Sequence, residues 1–121
     1  MNKYIQPDAQ HNKTKYYIMR ARELTESAGL PWTLKSAGEG NFYIQRKGNN
    51  AGTPHRERRS TSDYAVVVDQ TVLLPDYLYY VVQAIQGQGA FKPYITGNVI
   101  PGINKDGINQ TLINFFRRAK K

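Results

Sequence analysis

Between Arg46 and Ser60 the chain gathers residues of the kinds that hold phosphate. Arg46, Lys47, Arg56, Arg58 and Arg59 supply five positive charges against the single carboxylate of Glu57. Gly48 and Gly52 free the backbone between them, and Asn49, Asn50, Thr53, His55 and Ser60 add hydrogen-bonding groups. Guanidinium, ammonium, hydroxyl and exposed backbone N–H groups bind phosphate oxygens, and an arginine can also take the O6/N7 edge of guanine. A second polar loop, Gly87 to Pro93, offers Gln88 and Lys92, and the chain closes on a basic run with Arg117 and Arg118. These are the candidate nucleic-acid contacts. The plainer account of the same residues is a solvated, solubilising surface, which fits the terminal run as well as phosphate does.

Chemistry beyond binding is thinly supplied. Gly38-x-Gly40 and Gly87-x-Gly89 lack the third glycine and the strand-to-helix setting of a dinucleotide fingerprint, and no Gly-Lys-Ser/Thr follows a glycine loop. Pro75-Asp76 has no Asp-x-Lys or Glu-x-Lys to complete a metal-dependent nuclease, and the Asn/Asp-Pro-Pro-Tyr motif of adenine methyltransferases is missing. The two histidines, His11 and His55, have no cysteine partners for a metal site. A metal-free ribonuclease is the better enzymatic rival, with His55 as base and Arg56, Arg58, Arg59 and Tyr64 stabilising phosphate. The reading adopted has no catalytic residue, no metal and no cofactor.

Seventeen Lys and Arg against nine Asp and Glu leave a formal charge of +8, unevenly spread. Such clustering suits a polyanion, because neutralised phosphates release their condensed counterions. With 121 residues the chain has the length of one domain, expected over 15–121 behind a polar arm at 1–14. The absence of cysteine excludes a disulfide framework and thiol redox chemistry, and fits a cytoplasmic setting. No apolar run approaches the roughly 18 residues of a membrane span, so no membrane partner is expected.

The elements that must position these residues centre on Leu74 to Ile103. Pro75 fits a first helical position, Asp76 suits the positive helix start and Gly87 can close the other end. Leu78, Val81, Val82 and Ile85 form an apolar stripe at i, i+3, i+4 and i+7. The glycines of Thr96-Gly-Asn-Val-Ile-Pro-Gly-Ile103 predict a tight reversal returning Val99, Ile100 and Ile103 to the core. Phe42–Lys47 alternates as a half-buried strand, and Tyr64–Asp69, with three successive valines, reads as a strand covered on both faces. About sixteen loop residues separate these strands, more than a compact connection needs. Upstream, 16–20 is β-prone and 21–28 helix-compatible, while Trp32 and Leu34 are candidates for packing. The tail is two-valued: Ile108, Leu112, Ile113 and Phe116 have near-helical spacing after a possible Asp106 cap, yet 111–116 could pair as a closing strand. The fold class expected is α+β, a small bent mixed sheet backed by one main helix at about 75–86, with long polar loops.

Pro75-Asp-Tyr-Leu-Tyr-Tyr80 followed by Thr96-Gly-Asn-Val-Ile-Pro-Gly-Ile-Asn104 resembles the second half of a target recognition domain from the specificity subunits of type I restriction–modification systems. Arg46-Lys-Gly-Asn-Asn-Ala-Gly52 and Ser60-Thr-Ser-Asp-Tyr-Ala-Val-Val-Val68 resemble earlier strands of the same domain, in the same order, and the matched pieces cover about half the chain. The resemblance implies sequence-specific binding of double-stranded DNA without catalysis, and a strand at the start of the 108–116 segment. The chain lacks the long paired helices and second copy that let the family grip methyltransferase subunits. Its alternatives are therefore a half-module, which could be a homo-oligomer or join methyltransferase or restriction subunits, a phage or mobile-element relative recruited to DNA binding, or a phage or mobile-element protein that binds a restriction or other host protein complex rather than DNA.

Overall fold

The structure, a computed structural model, describes residues 29–119. The expected arm at 1–14, strand at 16–20 and helix at 21–28 lie outside those residues, as does His11. Four strands form one sheet: β1 (Trp32–Lys35), β2 (Phe42–Ile44), β3 (Pro54–His55) and β4 (Tyr64–Val68), in the order β1-β4-β2-β3. With two helices, α1 (Pro75–Gly87) and α2 (Lys105–Arg118), they make the expected α+β domain. Every strand pairing is antiparallel, so the sheet is not the mixed one expected. The reason lies in the 36–41 loop, which carries the chain across β4 so that β1 and β2 flank it and both run against it. Asn41 anchors that crossing: its N–H donates to Val66 O, and its Oδ1 accepts the Val68 N–H at 2.8 Å.

Side chains alternate across the pleat. Trp32, Leu34, Phe42, Ile44, Tyr64, Val66 and Val68 enter the core, while Thr33 and Lys35 are exposed and Val67 keeps 38% of its surface. The three valines are therefore not in a doubly covered strand. Ala65, on the outer side, is buried between its cross-strand neighbours Lys35 and Tyr43.

Helix α1 begins at Pro75 with Asp76 in its first turn and buries Leu78, Val81, Val82 and Ile85, the stripe its spacing predicts. Tyr79 meets Phe42 of β2 edge-on at 5.3 Å between ring centroids. The entry into α1 is set by an Asp69 turn, whose Oδ1 accepts the Thr71 N–H and hydroxyl and whose carbonyl accepts from Val72 and Leu73. The two hydrogen bonds from Thr71, hydroxyl first and then N–H, lower the Asp69 carboxyl pKa.

The 108–116 segment is helical throughout, against the strand that the resemblance implies. Asn104, not Asp106, is its cap, its Oδ1 accepting the Gly107 N–H at 2.9 Å. Ile108, Thr111, Leu112 and Phe116 are buried on one face. Phe116 packs on Trp32 with ring centroids 5.6 Å apart, and the Trp32 indole N–H donates to Asn109 Oδ1 at 2.8 Å. In a strand, Ile108, Leu112 and Phe116 would share their face with Gln110 and Asn114, leaving Thr111 opposite; the tertiary contact with β1 overrides local β-propensity.

The 96–102 reversal also departs from expectation. Ile103 is buried, but Val99 is 91% exposed and Ile100 63%. Thr96 and Gly102 exchange both backbone hydrogen bonds, which closes a hairpin whose tip faces solvent rather than the core.

Candidate nucleic-acid interface

The strand read as 42–47 ends at Ile44, and the residues beyond it build the site. Arg46 O accepts the Ile103 N–H at 2.9 Å, and the buried Tyr64 hydroxyl donates to Ile103 O at 2.9 Å. Ile103 is thus held to the ends of β2 and β4, which brings the capped start of α2 beside Arg46. The Arg46 guanidinium lies 5.5 Å from the Tyr64 ring centre. Burial pushes the Tyr64 phenol up, and Arg46 opposes that shift. An open cleft of about 300 Å³ results, lined by Ser36, Arg46, Tyr64, Asn104, Lys105 and Asp106. A second hollow of about 190 Å³ adjoins it through Arg46 and Asn104, and adds Lys47, Thr96, Ile100 and Gly102. Three cations, Arg46, Lys47 and Lys105, therefore meet at one end of the sheet with Asp106 as the carboxylate among them. The positive end of the α2 dipole adds to their field.

The expected loop is less of a loop than its composition suggests. Gly48 donates its N–H to Pro101 O at 2.8 Å, so the backbone after β2 is joined to the hairpin. Asn49 and Asn50 form the exposed tip of a turn, closed by the Thr53 hydroxyl on Asn50 O at 2.6 Å. Gly52 does not approach a ligand: it is buried with φ at +98°, and a Cβ there would come within 2.5 Å of the Phe91 ring. The chain then enters β3, where His55 Nε2 lies 3.1 Å from Gln45 Oε1. Burial first, then the nearby Arg59 charge, lowers the His55 pKa, against a smaller opposite pull from Asp63.

The three arginines that follow have separate fates. Arg56 donates to Asp76 Oδ1 at 2.8 Å and stacks 3.7 Å from the Tyr79 ring centre, so it clips β3 to the start of α1. Arg58 donates to Asp63 O at 2.6 Å and Gly38 O at 2.7 Å while lying over Tyr43 at 5.1 Å. It ties two loops together. Arg59 is exposed and gives only its backbone N–H, to Asp63 Oδ2 at 2.9 Å. Ser60 shares that carboxylate through its own N–H at 3.1 Å, and its hydroxyl meets that of Ser62 at 2.9 Å.

Gln88 and Lys92 do not join this end. They follow the C-terminal end of α1, whereas Arg56 contacts its first turn, and the two polar loops touch through Gly52 on Phe91. Gln88 instead lines a groove of about 540 Å³ with Arg118, Tyr94, Asn114 and Phe115. Arg117 and Arg118 lie in the last turn of α2, where the helix dipole favours cations. Lys105, Asn104 and Ser36, which complete the cleft, carried no sequence signal: nothing in the spacing links Lys105 to Arg46. Among the described residues no cluster of His, Asp or Glu could hold a metal ion, and no helix is long and apolar enough to cross a membrane.

An antiparallel sheet with two helices on one face and a basic cleft at its end defines an α+β domain with a candidate anion-binding surface. Residues 33–121 match a family of unknown function, DUF6943, and the chain belongs to that family. No curated protein and no solved structure matches it.

Proposed function

We propose that this domain is a non-catalytic binder of double-stranded DNA acting in the cytoplasm, in the manner of a single target recognition domain. The observation that carries the proposal is the gathering of Arg46, Lys47 and Lys105 around two adjoining open hollows that share Arg46, in a chain of net charge +8. Arg46 and Lys47 are exposed, and neither is paired with a carboxylate among the described residues. They serve as phosphate contacts, with Lys105 beside them, and Arg59 is the loop arginine left to read a base edge. The engagement of His55 by Gln45 and of Arg56 and Arg58 by Asp76 and backbone carbonyls supports binding over a ribonuclease, whose phosphate-stabilising groups would need to be free.

The test is binding of purified protein to duplex DNA, single-stranded RNA and neither, with an Arg46→Ala/Lys105→Ala double variant alongside. Weak, steeply salt-dependent duplex binding by wild type, and loss of about tenfold or more in the variant, is expected. Equal affinity of the two proteins would move the interface elsewhere. Wild-type protein that ignores duplex but is retained by methyltransferase or restriction subunits would favour the protein-binding alternative.

A further inference from the structure

The most exposed large apolar side chains described are Val99 and Ile100, and Ile100 lines the hollow that holds Arg46 and Lys47. Their exposure is built, not incidental. The hairpin is closed by two hydrogen bonds between Thr96 and Gly102 at 2.9 and 2.8 Å, and it is joined to the 46–48 segment by Gly48 N–H on Pro101 O and by the Lys47–Gly102 bridge. At its turn Gly97 takes φ of +117°, and a Cβ there would lie 2.6 Å from Ile100 O. Only glycine lets the tip close this tightly. Pro101 stiffens the exit, so the tip loses little conformational freedom on binding.

We propose that Val99 and Ile100 form an apolar wedge that enters a base step of duplex DNA from the minor groove, while Arg46 and Lys47 hold the adjacent phosphates. This rests on the duplex-binding reading above and adds its mode: the DNA is unstacked and bent at the wedge. Proteins that kink DNA combine these two parts, an aliphatic side chain inserted between bases and cations on the neighbouring backbone. Here Ile100 lines the same hollow as Arg46 and Lys47, which supplies the charge complementarity. A membrane surface fits less well, because interfacial anchors favour Trp and Tyr and the Asn98-Val99-Ile100-Pro101 tip has neither.

The experiment compares wild type with a Val99→Ser/Ile100→Ser double variant on duplexes carrying a fluorescent adenine analogue, and on end-labelled duplexes that report bending by energy transfer. Both side chains are exposed, so the variant should melt with wild type. Wild type is expected to raise the analogue's fluorescence and shorten the end-to-end distance. The variant should lose both signals, bind about tenfold more weakly and keep the wild-type salt dependence. Binding by wild type without unstacking or bending overturns the wedge and leaves the duplex reading intact. Wild type that binds no duplex overturns both. Capture by phosphatidylserine vesicles that depends on the tip, without any signal on DNA, assigns the tip to a membrane and also overturns the wedge.

Discussion

Arg58 and Arg59 are adjacent, equally charged and doing different work. Arg58 points into the protein, where its guanidinium satisfies the carbonyls of Gly38 and Asp63. Charged hydrogen bonds of this kind contribute about 1.5–3 kcal/mol, so Arg58→Ala should lower unfolding free energy by about 2 kcal/mol in urea titration. Arg59→Ala should leave stability within about 0.5 kcal/mol and, against a selected DNA site, relax preference at one base pair while sparing random duplex. If Arg59→Ala weakens both DNAs equally, Arg59 is a phosphate clamp. His55 gives a second residue-scale prediction. Its folded pKa lies below the ordinary value of about 6.5, so the unfolded chain takes up the proton first as pH falls. The stability linked to His55 is therefore complete above about pH 6.5 and is lost below it, as pH falls toward the depressed folded value. Melting temperature should drop more between pH 7.5 and 5.5 in wild type than in His55→Gln, which has no imidazole to titrate; identical drops would show that His55 is not depressed.

At the scale of elements, α2 decides how the end of the sheet is built. Leu112→Ala should cost about 2–5 kcal/mol, and Ile113→Ala, one position off the buried face, clearly less. Equal costs would contradict the helix. Asn104→Ala should cost about 1 kcal/mol through the lost cap. Gly52→Ala should be among the most damaging single changes in the 48–55 segment, since the backbone conformation and the Phe91 ring both reject a Cβ. How far these elements could be read from sequence depends on where their information lies. Helix α1 was legible because Leu78, Val81, Val82 and Ile85 repeat at its own period, a local property. Strands β2 and β4 were legible through alternation and β-branching, though not the open outer face at Val67. The 108–116 segment satisfied two periods at once, and only Trp32, far away in sequence, breaks the tie. Val99 and Ile100 were expected inside because apolar character marks core and docking tip alike. Arg56 and Arg58 looked like free donors because a sequence shows charge without showing the carbonyls or carboxylates that engage it. The cleft was half legible: Arg46 and Lys47 stood out, and Lys105 did not.

For the whole molecule, the fold places its basic cleft and its exposed hairpin at one end of a one-sided sheet, with Gln88 and Arg118 lining a separate groove. A net charge of +8 alone would give diffuse attraction to any polyanion. On the proposed function, a defined set of cations at the cleft grips duplex phosphates. The most direct measurement is duplex affinity across a salt series for wild type and for Arg46→Ala. Each neutralised phosphate contributes about −0.9 to the slope of log affinity against log salt, so about three to five contacts predict a wild-type slope of about −2.7 to −4.5. Arg46→Ala should flatten it by about one contact. A slope near zero, or a steep slope that Arg46→Ala leaves unchanged, would contradict the account.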